Sequence, residues 1–278
     1  MTHRAELGEN PRMSDPIVSP HGEVLPAASP LPKIGKITLT ELWLCLKAGI
    51  ADFRRAPQFG LFFSAVYVLG GLLMLVLSAG HVSWVLATSL GFPLYAPFAA
   101  VGLYEVSRRL EADQPLVWKD ILGVVWDERH RQIPWMGAII VIFFLFWTFL
   151  AHMLFALFMG MSAITNISES YDLFLTAAGL RMIGAEVVVG ALVAFLLFAM
   201  TVVSLPLLLE REVDFVSAMI LSINTVRENF VVMLVWAAVI AVLSLLALLP
   251  WFLGLMVILP VLGHATWHLY RRALYDEV

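Results

Sequence analysis

The sequence predicts an all-α, polytopic membrane protein with six transmembrane helices arranged in three hairpins. Three observations lead to this prediction. The 278 residues are 61% hydrophobic and only 14% charged, with a mean hydropathy of +0.89, and this composition lies far outside that of soluble domains. The chain contains six long apolar stretches. Its basic residues fall in every second gap between those stretches.

The apolar stretches are long enough to cross a bilayer, because an α-helix needs about 20 apolar residues to span a hydrocarbon core roughly 30 Å thick. Six spans are predicted at about 59–79, 83–104, 134–160, 181–205, 230–249 and 251–270. The apolar run from Phe230 to Tyr270 is about twice the length of one span. It must therefore fold back on itself, and Pro250 lies at its midpoint. The other two outer turns are predicted at 80–83 and 162–179.

The distribution of lysine and arginine sets the predicted orientation. Sixteen of the 17 basic residues lie in alternate gaps, and only Arg181 lies on the other side. Because cytoplasmic loops retain an excess of basic residues, both termini are expected in the cytoplasm. Residues 1–37 are predicted to be a disordered, proline-rich cytoplasmic tail. Residues 38–273 form the predicted six-span membrane domain, and residues 274–278 a short cytoplasmic C-terminus.

Each hairpin is preceded by a predicted amphipathic helix along the cytoplasmic surface of the membrane. Apolar residues recur at helical spacing in three segments: Leu39, Leu42, Trp43, Leu46, Ile50 and Phe53; Trp118, Ile121, Leu122 and Val125; and Phe215, Met219, Ile223 and Val226. Thr38 and Glu41 form a candidate capping box for the first helix, and Asp214 is a candidate N-cap for the third.

The spans that return to the cytoplasm suggest that the three hairpins are related units. Pro97 and Pro260 are each followed eleven residues later by an arginine pair, Arg108-Arg109 and Arg271-Arg272. A second explanation fits this similarity equally well. Any six-span protein needs basic residues beside its spans and tolerates proline near helix ends.

Histidines at membrane depth are candidate functional residues, because ionisable groups are costly there. His152 lies in the middle of the third span and could ligate a cofactor, relay protons or simply hydrogen-bond to a neighbouring helix. His264 and His268 are four residues apart and share one face of the sixth span. They could hold a metal ion or haem, but further ligands are not identifiable, and anchoring at the membrane interface beside Trp267 is the favoured interpretation.

The other candidate functional residues are ionisable groups near the ends of spans: Glu186, Glu105, Arg108, Arg109, Arg271 and Arg272. Glu186 lies about one turn deeper in the fourth span than Arg181 and is a candidate for a buried functional carboxylate. Glu105 is expected to pair with the two arginines that follow it. Gly190 and Ala194 offer a small-residue face on the fourth span, which packing within the monomer or in a homo-oligomer explains equally well.

No motif in the sequence predicts catalysis. A nucleophile triad, a phosphate-binding glycine loop and a paired-carboxylate site are not recognisable, so no catalytic residue and no cofactor are assigned. Cys45 is the only cysteine, which excludes disulfides and cysteine-rich metal sites. The formal net charge of -4 does not indicate a nucleic-acid partner.

Five segments resemble an uncharacterised bacterial integral-membrane family, domain of unknown function 2189. They lie at 52–60, 102–110, 203–206, 213–215 and 259–272. The resemblance covers about residues 38 to 273 and implies a location in the bacterial inner membrane. It implies no established activity.

Some members of that family are labelled cytochrome c oxidase subunit I. That label implies the catalytic subunit of a haem-copper oxidase, which has twelve spans, six intramembrane histidines and a His-Pro-Glu-Val-Tyr element at its copper site. This chain has six predicted spans, three histidines at or near membrane depth and no such element, so the catalytic assignment is rejected. An accessory or assembly role beside a respiratory complex remains compatible.

Three functional hypotheses follow. The first is a non-catalytic inner-membrane protein whose cytoplasmic face engages lipid headgroups or a partner complex. The second is a transporter or channel for ions or small molecules, indicated by Glu186 and by prolines in the returning spans. The third is a haem or metal protein that uses His152, His264 and His268.

Overall fold

The computed structural model describes residues 31–77, 82–160 and 172–275. Most of the predicted N-terminal tail, part of the first outer turn and most of the second outer loop lie outside these residues. Within them, nearly all of the chain is helical. The helices are α1 (Leu39–Arg55), α2 (Pro57–Leu77), α3 (Val82–Glu111), α4 (Trp118–Asp127), α5 (Ile133–Met159), α6 (Asp172–Leu175), α7 (Ala177–Thr201), α8 (Ser204–Glu210), α9 (Phe215–Glu228), α10 (Phe230–Leu248) and α11 (Leu255–Ala273).

Two helix starts follow directly from their capping residues. The Thr38 side chain accepts a hydrogen bond from the backbone N–H of Glu41, and the Glu41 carboxylate accepts one from the backbone N–H of Thr38. This is the predicted capping box, which satisfies two backbone donors at the start of α1. The Asp214 carboxylate likewise accepts a hydrogen bond from the Ser217 N–H at the start of α9.

Three helical segments are long and apolar enough to cross a membrane: α5, the joined segment Ala177–Glu210, and α10. A fourth is reached if α1 and the first part of α2, which are bent by 98° at their junction, count as one span. The prediction that the run after Phe230 divides near Pro250 is confirmed, since residues 249–254 form turns between α10 and α11.

The second and sixth predicted spans correspond to α3 and α11, which are not among the candidate spans found in the described part of the chain. Both helices end in ionisable residues, and most side chains of α11 and of residues 92–111 in α3 are buried or partly buried against other helices. α11 packs against α1, α2 and α3 and contributes Trp267, His264 and Leu269 to the fully buried core. The last part of α11 is therefore surrounded by protein rather than lipid.

The two ends of the described chain meet. Strand β1 (Lys33–Ile34) pairs antiparallel with β2 (Leu274–Tyr275). Asn229, at the junction of α9 and α10, donates to the carbonyl of Gly35 and accepts from the N–H of Ile37. These bonds fix residues 33–37 against the end of the molecule that carries α1, α4 and α9, which we call the basic end.

Candidate functional site

Four polar side chains from three helices meet in the interior near the basic end. The Asp52 carboxylate of α1 accepts hydrogen bonds from His268 Nε2 of α11 at 2.8 Å and from Ser107 Oγ of α3 at 2.9 Å. Ser107 Oγ also contacts His264 Nδ1 at 2.8 Å. Asp52 is 6% exposed, and Ser107 and His264 are fully buried. We call these four residues the polar cluster.

The sequence of α1 explains why Asp52 points inward. Leu42, Cys45, Gly49 and Asp52 recur at helical spacing and form the buried face of the helix. Small residues on this face allow α1 to lie directly on the backbone of α11, since a Cβ atom on Gly49 would come within 2.6 Å of Ala265 N. Asp52, one turn further along, therefore reaches His268.

The hydrogen-bonding pattern of the polar cluster depends on whether the Ser107 hydroxyl donates to Asp52 or to His264. If Ser107 donates that proton to Asp52, His264 Nδ1 must carry a hydrogen and donate it to Ser107. Nε2 of His264 is then an unprotonated acceptor, and among the described residues it has no hydrogen-bond partner, although the ring interacts electrostatically with the backbone of Leu103. If Ser107 donates to His264 Nδ1 instead, the His264 ring must carry its hydrogen on Nε2, and Asp52 must hold an additional proton to donate to Ser107. The two arrangements thus differ in the tautomer of His264 and by one bound proton.

The composition of the polar cluster matches a serine, histidine and aspartate triad, but its geometry does not. In a triad, histidine lies between serine and the carboxylate. Here Ser107 lies between His264 and Asp52, and it is fully buried. Among the described residues, no group of three or more histidine, cysteine or acidic side chains is placed to hold a metal ion. The arrangement ties three helices together, and its second hydrogen-bonding pattern requires the uptake of one proton.

The candidate arginines at the basic end are all engaged with carboxylates. Arg108 Nε and Arg109 Nε each donate to Glu105 at 2.7 Å, and Glu105 is fully buried. The expected pairing of Glu105 with the arginines that follow it is present. Burial of a carboxylate is tolerated here because two guanidinium groups supply its hydrogen bonds.

The second arginine pair contacts three other helices instead of its own. Arg271 lies 3.4 Å from Glu111 of α3 and donates to Glu210 of α8 at 2.9 Å. Arg272 lies 3.9 Å from Glu41 of α1. Both arginine pairs follow a proline by eleven residues in the sequence, but they pair with different carboxylates. The last turn of α11 joins α1, α3 and α8.

Burial shifts the titration of one acidic residue at the basic end. Glu128, between α4 and α5, is 3% exposed, and its burial raises the pKa above the ordinary value of 4.5. Arg131 opposes this shift, because its guanidinium pairs with both Glu128 and Glu212. The ion pair between Arg131 and Glu212 connects the turn before α5 to the segment before α9.

The remaining two candidates, His152 and Glu186, lie on the contacting helices α5 and α7, away from the polar cluster. His152 is exposed, and its Nδ1 contacts the carbonyl of Thr148 at 2.7 Å. Glu186 is partly buried and interacts electrostatically with His152. His152 is thus not brought together with His264 and His268. Glu186 lines a cavity of about 580 Å³ between α5 and α7.

Sequence reasoning did not single out Asp52, Ser107 or Asn229 as polar interaction partners. Asp52 could have been found from its spacing, because it continues the inward face of Leu42, Cys45 and Gly49. No comparable signal marks Ser107 or Asn229, whose partners lie 157 and 192 residues away in the sequence. Trp267, which was expected at the membrane interface, is fully buried and donates to Glu111.

The long apolar helices define an integral membrane protein. Residues 84–210 match the model of the family DUF2189, which is described as a predicted integral membrane protein. The resemblance stated from the motifs is thereby confirmed for this part of the chain. No curated protein and no solved structure matches the chain.

Proposed function

We propose that this protein is a non-catalytic, six-span protein of the bacterial inner membrane, with both termini in the cytoplasm, whose basic end binds anionic lipid headgroups. In this arrangement α2, α3, α5, α7, α10 and α11 are the spans. The helices α1, α4 and α9 are amphipathic and lie on the cytoplasmic surface. The observation that carries the proposal is the right-angled junction between α1 and α2.

The direction of α1 changes by 98° where it meets α2. We take α2, an apolar helix of 21 residues, as a span of its own, because about 20 residues cross the hydrocarbon core. A helix at a right angle to it then lies in the plane of the membrane. Such in-plane helices bind by burying apolar side chains at the headgroup boundary and by attracting anionic lipids with basic side chains.

The outward face of α1 has both kinds of side chain. Leu39 and Trp43 are 53% and 54% exposed, and Lys47 lies one turn further on, with its ammonium 5.4 Å from the centre of the Trp43 ring. Arg54 and Arg55 are also exposed at the end of the helix. Each basic side chain close to an anionic membrane surface contributes about 1 kcal/mol to binding.

Exposed tryptophans continue this surface on α4 and at the start of α5. Trp118, Leu122 and Trp126 follow one another at intervals of four residues and are all exposed. The Trp118 ring lies 4.2 Å from that of Phe59, in the first turn of α2. Trp135 of α5 is 59% exposed and stacks on Phe215 of α9. Tryptophan is enriched where a membrane protein crosses the headgroup region, and these positions support an interface at the basic end.

The test uses the purified chain in nanodiscs of phosphatidylcholine, with or without phosphatidylglycerol. We expect phosphatidylglycerol to raise the thermal unfolding temperature and to be enriched among lipids that co-purify from native membranes. The triple variant Lys47→Gln, Arg54→Gln, Arg55→Gln should lose most of this effect. Arg181→Gln, which removes one basic charge near the start of α7, should retain it. Equal unfolding temperatures in both lipids for the unmodified chain would refute the proposal.

A partner membrane complex, such as a respiratory complex, is the alternative occupant of the same surface. Affinity purification in mild detergent distinguishes it from lipid. Reproducible recovery of one complex, lost in the triple variant and retained in Arg181→Gln, would favour the partner.

A transporter is the second candidate function, and the cavity between α5 and α7 is the observation that favours it. This cavity lies between two helices that are each long and apolar enough to span the membrane. Uptake of radiolabelled solutes into vesicles containing the protein tests this function. The absence of solute uptake that depends on Glu186 would exclude the transporter hypothesis.

A further inference from the structure

We propose that the cavity between α5 and α7 binds a lipophilic organic cation, with Glu186 as the counter-charge and the aromatic residues of α5 as the apolar wall. This inference goes beyond lipid binding at the basic end and does not depend on it. The two sites share helix α5 but involve different residues of it.

The cavity has the size and the lining of a small-molecule site. Its volume of about 580 Å³ falls within the range of 300–1,000 Å³ typical of ligand pockets. The lining is almost entirely apolar, with Phe143, Phe144 and Trp147 from α5 and Val187 and Ala194 from α7. Glu186 is the one ionisable side chain among its lining residues.

Among the described residues, Glu186 has an electrostatic partner, His152, but no direct one. It lies in the middle of the third turn of α7, about 13.5 Å along the helix from Ala177 at 1.5 Å per residue. His152 is close enough to interact electrostatically, but Glu186 forms no hydrogen bond or ion pair with another described residue. A carboxylate at membrane depth without a direct hydrogen-bond or ion-pair partner is costly and is a candidate functional group. A cation bound in the cavity would supply the missing charge.

The wall opposite Glu186 suits a cation with an apolar surface. The face of an aromatic ring attracts cations, and tryptophan does so most strongly. The position of the Trp147 ring depends on Gly190, because a Cβ atom at that residue would lie 2.8 Å from Trp147 Cη2. Gly190 therefore lets the indole lie against α7 and form part of the lining.

Other ligand classes fit the cavity less well. A small inorganic cation such as Ca²⁺ needs six to eight oxygen ligands, whereas Glu186 is the only carboxylate in the lining. A lipid acyl chain would fill the apolar volume but would leave the carboxylate unpaired. A lipophilic cation satisfies both the volume and the charge.

The experiment measures binding of tetraphenylphosphonium to the full chain in phosphatidylcholine nanodiscs. Tetraphenylborate, an anion of nearly the same shape, is the matched ligand control. We expect saturable binding of the phosphonium and none of the borate. Glu186→Gln should weaken phosphonium binding at least about tenfold, and Glu228→Gln, which removes an exposed carboxylate at the basic end, should not change it.

A second variant keeps the test decisive if Glu186→Gln fails to fold. Ala194→Leu retains the charge and fills part of the cavity, so it should weaken phosphonium binding while the unfolding temperature stays near that of the unmodified chain. Saturable binding of both ions, or phosphonium binding equal in both cavity variants and the unmodified chain, would show a lipid groove instead of a cation site. Absence of saturable phosphonium binding would also overturn the proposal.

Discussion

Gly49 of α1 lies so close to Ala265 of α11 that a Cβ atom on the glycine would be 2.6 Å from the Ala265 nitrogen and 2.8 Å from the Ala265 Cβ. The Val261 carbonyl oxygen would also be 2.6 Å away. Most of these atoms belong to the backbone of a helix and cannot move aside as a flexible side chain would. The contact holds α1 across α11 and sets the position of Asp52.

Gly49→Ala should destabilise the protein. Alanine favours a helix over glycine by about 1 kcal/mol, but overpacking against a fixed backbone costs about 1–3 kcal/mol, so the net effect is a lower unfolding temperature in detergent. Gly123→Ala in α4 is the matched control, because its Cβ would meet no atom within 4 Å, and it should be neutral or slightly stabilising. An unfolding temperature for Gly49→Ala equal to that of Gly123→Ala would contradict the close approach.

Asp52→Asn should also destabilise the protein, by about 1–3 kcal/mol. The Asp52 carboxylate accepts from both His268 and Ser107, and an amide loses the charge and leaves buried groups poorly satisfied. The measurement is thermal unfolding beside Asp127→Asn, which changes an exposed aspartate. If combining Asp52→Asn with His268→Gln gave the sum of the two separate losses, the hydrogen bond between these residues would contribute nothing.

Glu105→Gln should cost more stability than Glu228→Gln. Glu105 is fully buried and accepts from two arginines, and hydrogen bonds to charged groups contribute about 1.5–3 kcal/mol each. Glu228 forms its ion pair with Lys36 at the surface, where such pairs contribute about 0–1 kcal/mol. Unfolding of both variants at 0.1 and 1 M salt provides the check. A larger loss for Glu228→Gln would show that burial of Glu105 is wrongly assigned.

The Asp214 cap of α9 should make stability depend on pH in acid. The Ser217 side chain, and then its backbone N–H, lower the pKa of Asp214 below the ordinary value of 3.8. A carboxyl with a lowered folded-state pKa stabilises the fold above its unfolded pKa, and this contribution is lost as the pH falls through the folded pKa.

Asp214→Asn keeps a capping oxygen but cannot titrate, so its unfolding temperature should fall less between pH 5 and pH 3 than that of the unmodified chain. Asp214→Ala should be destabilised by about 1 kcal/mol at pH 7. The same acid dependence in Asp214→Asn and the unmodified chain would exclude the cap as its source.

Local features of the fold were predictable from the sequence because they depend on residues close together in the chain. The capping box of Thr38 and Glu41, the cap at Asp214 and the division of the last apolar run near Pro250 are of this kind. The pairing of Glu105 with Arg108 and Arg109 spans one turn of helix.

The polar cluster was not predictable, because its partners are set by which helices pack together. Asp52 and His268 are separated by 216 residues, and helical periodicity shows which face of a helix is apolar but not which helix covers it. Trp267 illustrates the same limit. Its place near a basic helix end fits an interfacial anchor as well as a buried core residue, and only the packing of α11 against α3 decides between the two.

The central claim is that the basic end lies on one side of the membrane and the connection between α5 and α7 on the other. It is tested by labelling single cysteines in intact cells with a membrane-impermeant maleimide, in a Cys45→Ala background. Ser170→Cys should be labelled without permeabilisation, whereas Lys119→Cys, at an exposed position of α4, should be labelled only after it. Labelling of both cysteines under the same condition would place them in one compartment and contradict the account.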